Sequence, residues 1–200
     1  VDRIWEVLAA FASFGFCKAH AAAFALPTYQ SAWLKTHHTA AFLAGVLTHD
    51  PGMYPKRLIL DEARSMGVHV LGLDVNASTD VYRVERVAED GTAGVGAEGG
   101  AGDGNVAEED VRGGARPVLG RGPDRVDRVM AAVERRAHRY GIRLSLADVK
   151  GIGEDEVRRI VAGQPYSSLS DLWQRARPSR PTAERLVLAG GFDALHRVGR

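Results

Sequence analysis

Residues 88–122 set the terms on which this 200-residue chain can fold. Gly, Ala and acidic residues dominate the stretch, and it holds no aromatic residue. Such a composition buries too little apolar surface to offset the entropy of ordering the backbone. It is expected to be a disordered loop that parts the chain into two ordered portions. It contains Gly94-Val95-Gly96-Ala97-Glu98-Gly99, a formal match to the G-x-G-x-x-G turn of dinucleotide-binding folds. That turn needs a strand before it and a helix directly after it. Neither is legible here and acids surround the glycines, so no dinucleotide is assigned to it.

The loop also divides the charge. Residues 1–87 carry eight Lys/Arg and eight Asp/Glu, residues 88–110 seven acids and no base, and residues 111–200 eighteen bases and ten acids. The overall charge of +1 thus conceals an acidic loop beside a basic C-terminal half. A basic half is what a nucleic-acid binder presents, and equally what a solvated arginine-rich surface presents. The length allows one or two small domains with real cores. One cysteine excludes an internal disulfide framework and suits a reducing cytosol. No apolar run reaches membrane-spanning length, so no membrane partner is expected. The chain does not begin with Met and shows no signal peptide, and it reads as a cytoplasmic fragment of a longer protein.

After the loop, Pro123 to Tyr140 has the periodicity of an amphipathic helix. Val126, Val129, Met130 and Val133 form its apolar stripe. Its arginines (Arg125, Arg128, Arg135, Arg136 and Arg139) are either solvated or phosphate-facing. Ile142 to Leu146 is a strand candidate. Then comes Ala147-Asp148-Val149-Lys150-Gly151-Ile152-Gly153-Glu154-Asp155-Glu156-Val157-Arg158-Arg159-Ile160. A short helix, a glycine hairpin and a second helix in this order resemble a helix-hairpin-helix DNA-binding motif. Glycine allows positive φ and lets the backbone come close to a sugar-phosphate strand. The N–H groups of Gly151 and Gly153, with the start of the following helix, can meet phosphate oxygens. Ile152 would plug the space between the helices, while Lys150, Arg158 and Arg159 add charge. Binding of this kind touches no base edge, so it should be sequence-independent and salt-sensitive. The bland reading is a plain turn between two helices. Glu154, Asp155 and Glu156 suit the positive end of the second helix better than they suit phosphate. Ser167 to Arg177 reads as a helix with Leu169, Leu172 and Trp173 inward. Thr182 is the expected cap of a last helix, ended by Gly190-Gly191.

The first portion is mainly helical. Ile4, Val7, Leu8 and Phe11 give a half-buried helix. A second helix runs from Lys18 to about His38, with Pro27 expected to kink or break it near Leu26. Lys18 and His20 stand at its mouth, where free N–H groups and a partial positive charge suit a phosphate. A third helix, capped by Thr39, turns Phe42, Leu43, Val46 and Leu47 inward. A fourth opens at Pro55 and closes at Gly67. Val68 to Leu71 is a strand candidate, and Asp74-Val75-Asn76 is a turn into a small β-hairpin whose first strand is Tyr82 to Glu85.

Phe14-Gly15-Phe16-Cys17-Lys18-Ala19-His20-Ala21-Ala22-Ala23-Phe24-Ala25-Leu26-Pro27-Thr28-Tyr29-Gln30, followed by Ser31-Ala32-Trp33-Leu34-Lys35, resembles the fingers region of bacterial C-family DNA polymerases of the polymerase III alpha type. Cys17, the Leu26–Gln30 wording and His49-Asp50-Pro51-Gly52-Met53-Tyr54-Pro55 resemble the error-prone, damage-inducible branch. The likeness covers about residues 1–87 and resumes over about 141–195, closing on Phe192-Asp193-Ala194-Leu195. Residues 88–140 look like an insertion between the two strands of the hairpin.

The resemblance implies an α+β fold, mainly helical with a small β-hairpin. It implies a fingers-type region over 1–87, the loop 88–122, an inserted helix 123–140 and a helix-hairpin-helix region over 141–200. It further implies part of a DNA-directed DNA polymerase that serves translesion synthesis and damage-induced mutagenesis. Lys18 and His20 would face the incoming deoxynucleoside triphosphate. Lys150, Gly151, Ile152, Gly153, Arg158 and Arg159 would hold primer-template DNA. Other translesion proteins are further possible partners. Two Mg2+ ions would be held by palm carboxylates, but no Asp-x-Asp palm motif occurs here, so the catalytic ligands would lie outside this chain. The alternative is a stand-alone helix-hairpin-helix module that grips DNA without catalysis. An upstream frame carrying palm carboxylates would decide between them. Among other groupings, His20, His37, His38 and His49 match no standard metal site. Cys17 with His20 lacks a third group to orient a nucleophile.

Overall fold

The computed structural model describes residues 3–7, 18–88, 131–135 and 137–196. All but the first residue of the expected loop, and the first part of the helix expected over 123–140, lie outside them. The chain forms two compact units, Val1–His38 and Thr39–Arg200.

In the first unit, residues 3–7 are helical and α1 runs over Lys18–His37. Of the expected kink or break near Leu26, the break does not occur: α1 continues through Pro27. Proline forfeits one backbone hydrogen bond, and the alanine-rich turn before it has the highest helix propensity available. The expected burial of the first helix is not found over residues 3–7, where Ile4 is 67% and Val7 53% exposed. No residue of α1 is buried either. One helical turn and one long helix, the described parts of this unit, are too little chain to enclose a core.

The second unit contains two cores. Helices α2 (Thr39–His49) and α3 (Lys56–Ser65) pack on a sheet of three strands, β1 (His69–Leu71), β2 (Arg83–Arg86) and β3 (Tyr140–Arg143). The order is β1-β3-β2. β2 and β3 pair antiparallel, with Val84 opposite Ile142, as the expected hairpin requires. β1 joins parallel to β3, with Val70 opposite Ile142, which makes a three-stranded mixed sheet of the expected hairpin. Leu43, Leu47 and Ile142 are fully enclosed in this core, with Phe42 and Val46 packed against it. β3 begins two residues before the expected Ile142 and stops at Arg143, short of the expected Leu146, because Ser145 caps a 3-10 turn that takes Leu146. The Ser145 hydroxyl donates to Asp80 O at 2.8 Å and accepts from Ala147 N–H at 3.1 Å, capping the next turn. Buried Arg143 grips Glu85 across the strands through Nε–Oε1 at 2.9 Å and Nη2–Oε2 at 2.7 Å. This two-pronged geometry is what makes a buried ion pair tolerable.

The second core gathers Leu146, Val149, Ile160, Leu172 and Leu186 beneath the turn at Asp74–Ser78. It is formed by a 3-10 turn (Leu146–Asp148), α4 (Glu154–Ala162), α5 (Leu169–Ala176) and α6 (Arg180–Leu188), with α7 (Asp193–His196) closing the described chain. Asn76 pins the turn to this core, its side chain exchanging hydrogen bonds with the backbone of Tyr166 at 2.7 and 2.9 Å. Two expectations are corrected here. Leu172 is buried, but Leu169 and Trp173 are 38% and 47% exposed, because the inward stripe of α5 falls on Leu172 and Ala176. The cap of α6 is Ser179, whose hydroxyl accepts from Thr182 N–H at 3.4 Å, while Thr182 lies buried inside the helix.

Candidate nucleic-acid interface

The glycine hairpin is built from its two ends inward. Val149, at the end of the 3-10 turn, and Val157 and Ile160, on the inner face of α4, are buried together, and Ile152 packs half-buried against them. Between them Ile152 N–H donates to Val149 O at 3.0 Å, which closes the turn. Gly151 makes this possible with φ +77°, a left-handed conformation that costs a residue with a Cβ about 1–2 kcal/mol. Gly153 does not share that constraint. It has φ −91° and ψ 153°, serves as the N-cap of α4, and a Cβ built on it would meet nothing within 4 Å. The fold therefore leaves open space beside Gly153.

The hairpin's donors are unpaired. Among the described residues, no acceptor is found for the N–H groups of Gly151, Gly153, Glu154 or Asp155, and all four residues are exposed. They stand in one hairpin and the first turn of one helix, where the helix dipole adds partial positive charge.

The charged side chains divide into three roles. Lys150 is exposed at the hairpin tip. Arg158 is paired with Asp155 on the open surface, with side chains 71% and 80% exposed, a pair worth little in water. Arg159 Nε donates to Ala176 O at 3.0 Å and so caps the C-terminus of α5. The first turn of α4 is acidic, as its dipole favours, but Glu156 serves another helix. Its buried carboxylate accepts from Ser179 N–H and from the Thr182 hydroxyl, the latter at 2.9 Å, and so caps α6. Arg185 of α6 was not among the expected site residues, yet its Nη1 donates to Lys150 O. It lies 35 residues downstream, and no local pattern could have pointed to it.

Behind the hairpin, Asp148 accepts from the buried Tyr82 hydroxyl and from Lys56 Nζ at 2.8 Å. This ties the 3-10 turn to β2 and α3. Burial holds the Tyr82 phenol well above its ordinary range, and the Asp148 carboxylate adds to the shift.

Lys18 and His20 share the first turn of α1, both exposed, with the His20 ring 4.5 Å from that of Phe24. They belong to the other compact unit from the hairpin. Cys17 and the glycines at 94–99 lie outside the described residues. Among the described residues no group of three or more His, Cys, Asp or Glu could hold a metal ion. No catalytic step is assigned to the described residues. No described helix is long and apolar enough to cross a membrane.

A short turn, a positive-φ glycine hairpin and a capped second helix over a shared apolar plug define the class, and residues 67–199 match the helix-hairpin-helix motif family, to which the chain belongs. Nearly the whole chain is also similar to error-prone DNA polymerases. That of Nocardia farcinica is 35% identical over 199 residues, covering 97% of this chain and 13% of the relative. That of Symbiobacterium thermophilum is 33% identical over 201 residues, covering 98% and 16%, and that of Corynebacterium efficiens 31% over 200 residues, covering 100% and 14%. The chain thus spans about one-seventh of the length of these relatives.

Proposed function

We propose that this chain is the fingers and helix-hairpin-helix part of a C-family DNA polymerase of the error-prone branch, which copies damaged templates. In this reading the hairpin holds the primer-template duplex through its backbone, and α1 receives the incoming deoxynucleoside triphosphate at Lys18 and His20. Two Mg2+ ions, held by carboxylates elsewhere in the parent protein, supply the charge neutralisation for nucleotidyl transfer. This chain's share is positioning, since holding reactants in register is a large part of how phosphoryl-type transfer is accelerated. The parent works in the cytoplasm, with other translesion proteins as further partners.

The observation that carries the reading is the set of amides at Gly151, Gly153, Glu154 and Asp155, on exposed residues, without an acceptor among the described residues, and with open space beside Gly153. Amides in such a nest suit phosphate oxygens and ask nothing of the bases. Lys150 and Arg158 supplement them with charge, Ile152 shapes the hairpin, and Arg159 acts by fixing α4 to α5.

Gly153→Val tests this. A valine at the N-cap of α4 should cost the fold about 1 kcal/mol. It should also fill the open space and hold a DNA strand off the amides. In fluorescence anisotropy on a labelled primer-template, the affinity should fall at least about tenfold while the melting temperature moves by only about 2–4 °C. Unchanged affinity would make the hairpin a structural turn.

A further inference from the structure

We infer that Arg185 is the positioning residue of the hairpin: by holding Lys150 O it aims the Gly151 N–H outward at the phosphate. The inference rests on the DNA reading above and deepens it. The peptide between Lys150 and Gly151 is planar and trans, so its C=O and its N–H point in opposite directions. A group that grips the oxygen from the protein side therefore fixes where the N–H points. Arg185 is that group. It is half-buried on α6, and its Nη1 donates to Lys150 O. The same Nη1 lies 2.8 Å from where a Cβ on Gly151 would stand. The guanidinium thus packs against the inner side of the residue whose N–H lacks an acceptor among the described residues.

Gly151 consequently answers two demands. Its φ of +77° sets the turn, and its missing Cβ admits the arginine. Arginine suits the task better than lysine, since its planar fork is pre-organised and always charged. The route from Arg185 to the duplex runs through the backbone of Lys150-Gly151, so the side chain itself touches no phosphate.

The test compares the wild-type chain with Arg185→Ala and Arg185→Lys. Two readouts are needed: the amide signal of Gly151 in 15N-resolved NMR without DNA, and primer-template affinity across a salt series. Arg185→Ala should displace the Gly151 signal and weaken binding about tenfold, the size expected for losing a charge-assisted hydrogen bond. The slope of log affinity against log salt should stay within experimental error, because no phosphate contact is removed. Arg185→Lys keeps the charge and most of the stem, so a loss of at least about threefold that persists there comes from the missing fork. A slope reduced by about one with an unmoved Gly151 signal would make Arg185 a direct phosphate ligand and overturn the inference. Unchanged affinity in both variants would overturn it as well. If the wild-type chain itself fails to bind, the DNA reading falls first and the inference with it.

Discussion

Gly151 and Gly153 stand two residues apart and are glycine for different reasons, which separate variants can tell apart. Gly151 has positive φ, and a Cβ there would push aside only the end of the Arg185 side chain, while Gly153 has ordinary extended backbone and open space beside it. Gly151→Ala should therefore destabilise the chain itself by about 1–3 kcal/mol, read as a fall of roughly 3–9 °C in melting temperature, whether or not DNA is present. Gly153→Val should do the reverse, costing the fold little and losing the ligand. Tyr82 gives a pH prediction of the same scale. Its folded phenol is held above its ordinary 10.0 by burial and by Asp148. The folded state therefore keeps a proton that the unfolded chain gives up above pH 10. The stability this supplies is complete below that value and is lost as pH rises beyond it. Burial also raises the Tyr166 phenol, so in spectrophotometric titration Tyr82 and Tyr166 should both lag the other three of the five tyrosines, and Tyr82→Phe should shrink the resistant component by one tyrosine. A full set of five ordinary transitions would contradict the buried pairing with Asp148.

Among the elements, α4 and α6 are joined by a polar link within an apolar core. The Glu156 carboxylate accepts from the Ser179 amide and the Thr182 hydroxyl; Glu156 and Thr182 are buried, while Ser179 lies at the surface. Glu156→Ala should leave both donors without their acceptor and cost about 2–4 kcal/mol, with Glu156→Gln costing less because one oxygen remains. Equal melting temperatures for the three proteins would show that the link is dispensable. Such links explain what the sequence made legible at this scale. The hairpin could be read because its signals are local: two glycines, a flanking valine and an acidic first turn lie within eight residues. Helix α2 could be read for the same reason, as its stripe of Leu43 and Leu47 recurs at helical spacing. Trp173 was misplaced because its spacing allows two faces, and tertiary packing gave the inner one to Leu172 and Ala176. Thr182 was taken for a cap because Thr is a good one. Ser179 stands two residues before Pro181, which suits the first turn of a helix, and α6 starts there instead.

At the scale of the whole molecule, local pattern loses its reach. The parallel pairing of β1 with β3 joins residues about seventy apart, and nothing in three apolar residues specifies which neighbour they take. Arg185 reaches back to Lys150, and Asn76 forward to Tyr166, through contacts whose partners carry no sequence signature. The amide nest was legible as a motif, but its separation into a constrained Gly151 and an open Gly153 was not. The similarity to error-prone DNA polymerases covers the chain almost end to end, so the two units travel together in those relatives. In the proposed function, the second unit grips the phosphate backbone of a duplex without reading its bases. The most direct test of that grip is the salt dependence of affinity for two primer-templates of equal length and unrelated sequence. The account predicts matching affinities at every salt concentration and a steep, linear fall of log affinity with log salt, as counterion release requires. A flat salt response, or affinities that differ by more than about tenfold between the two sequences, would contradict it.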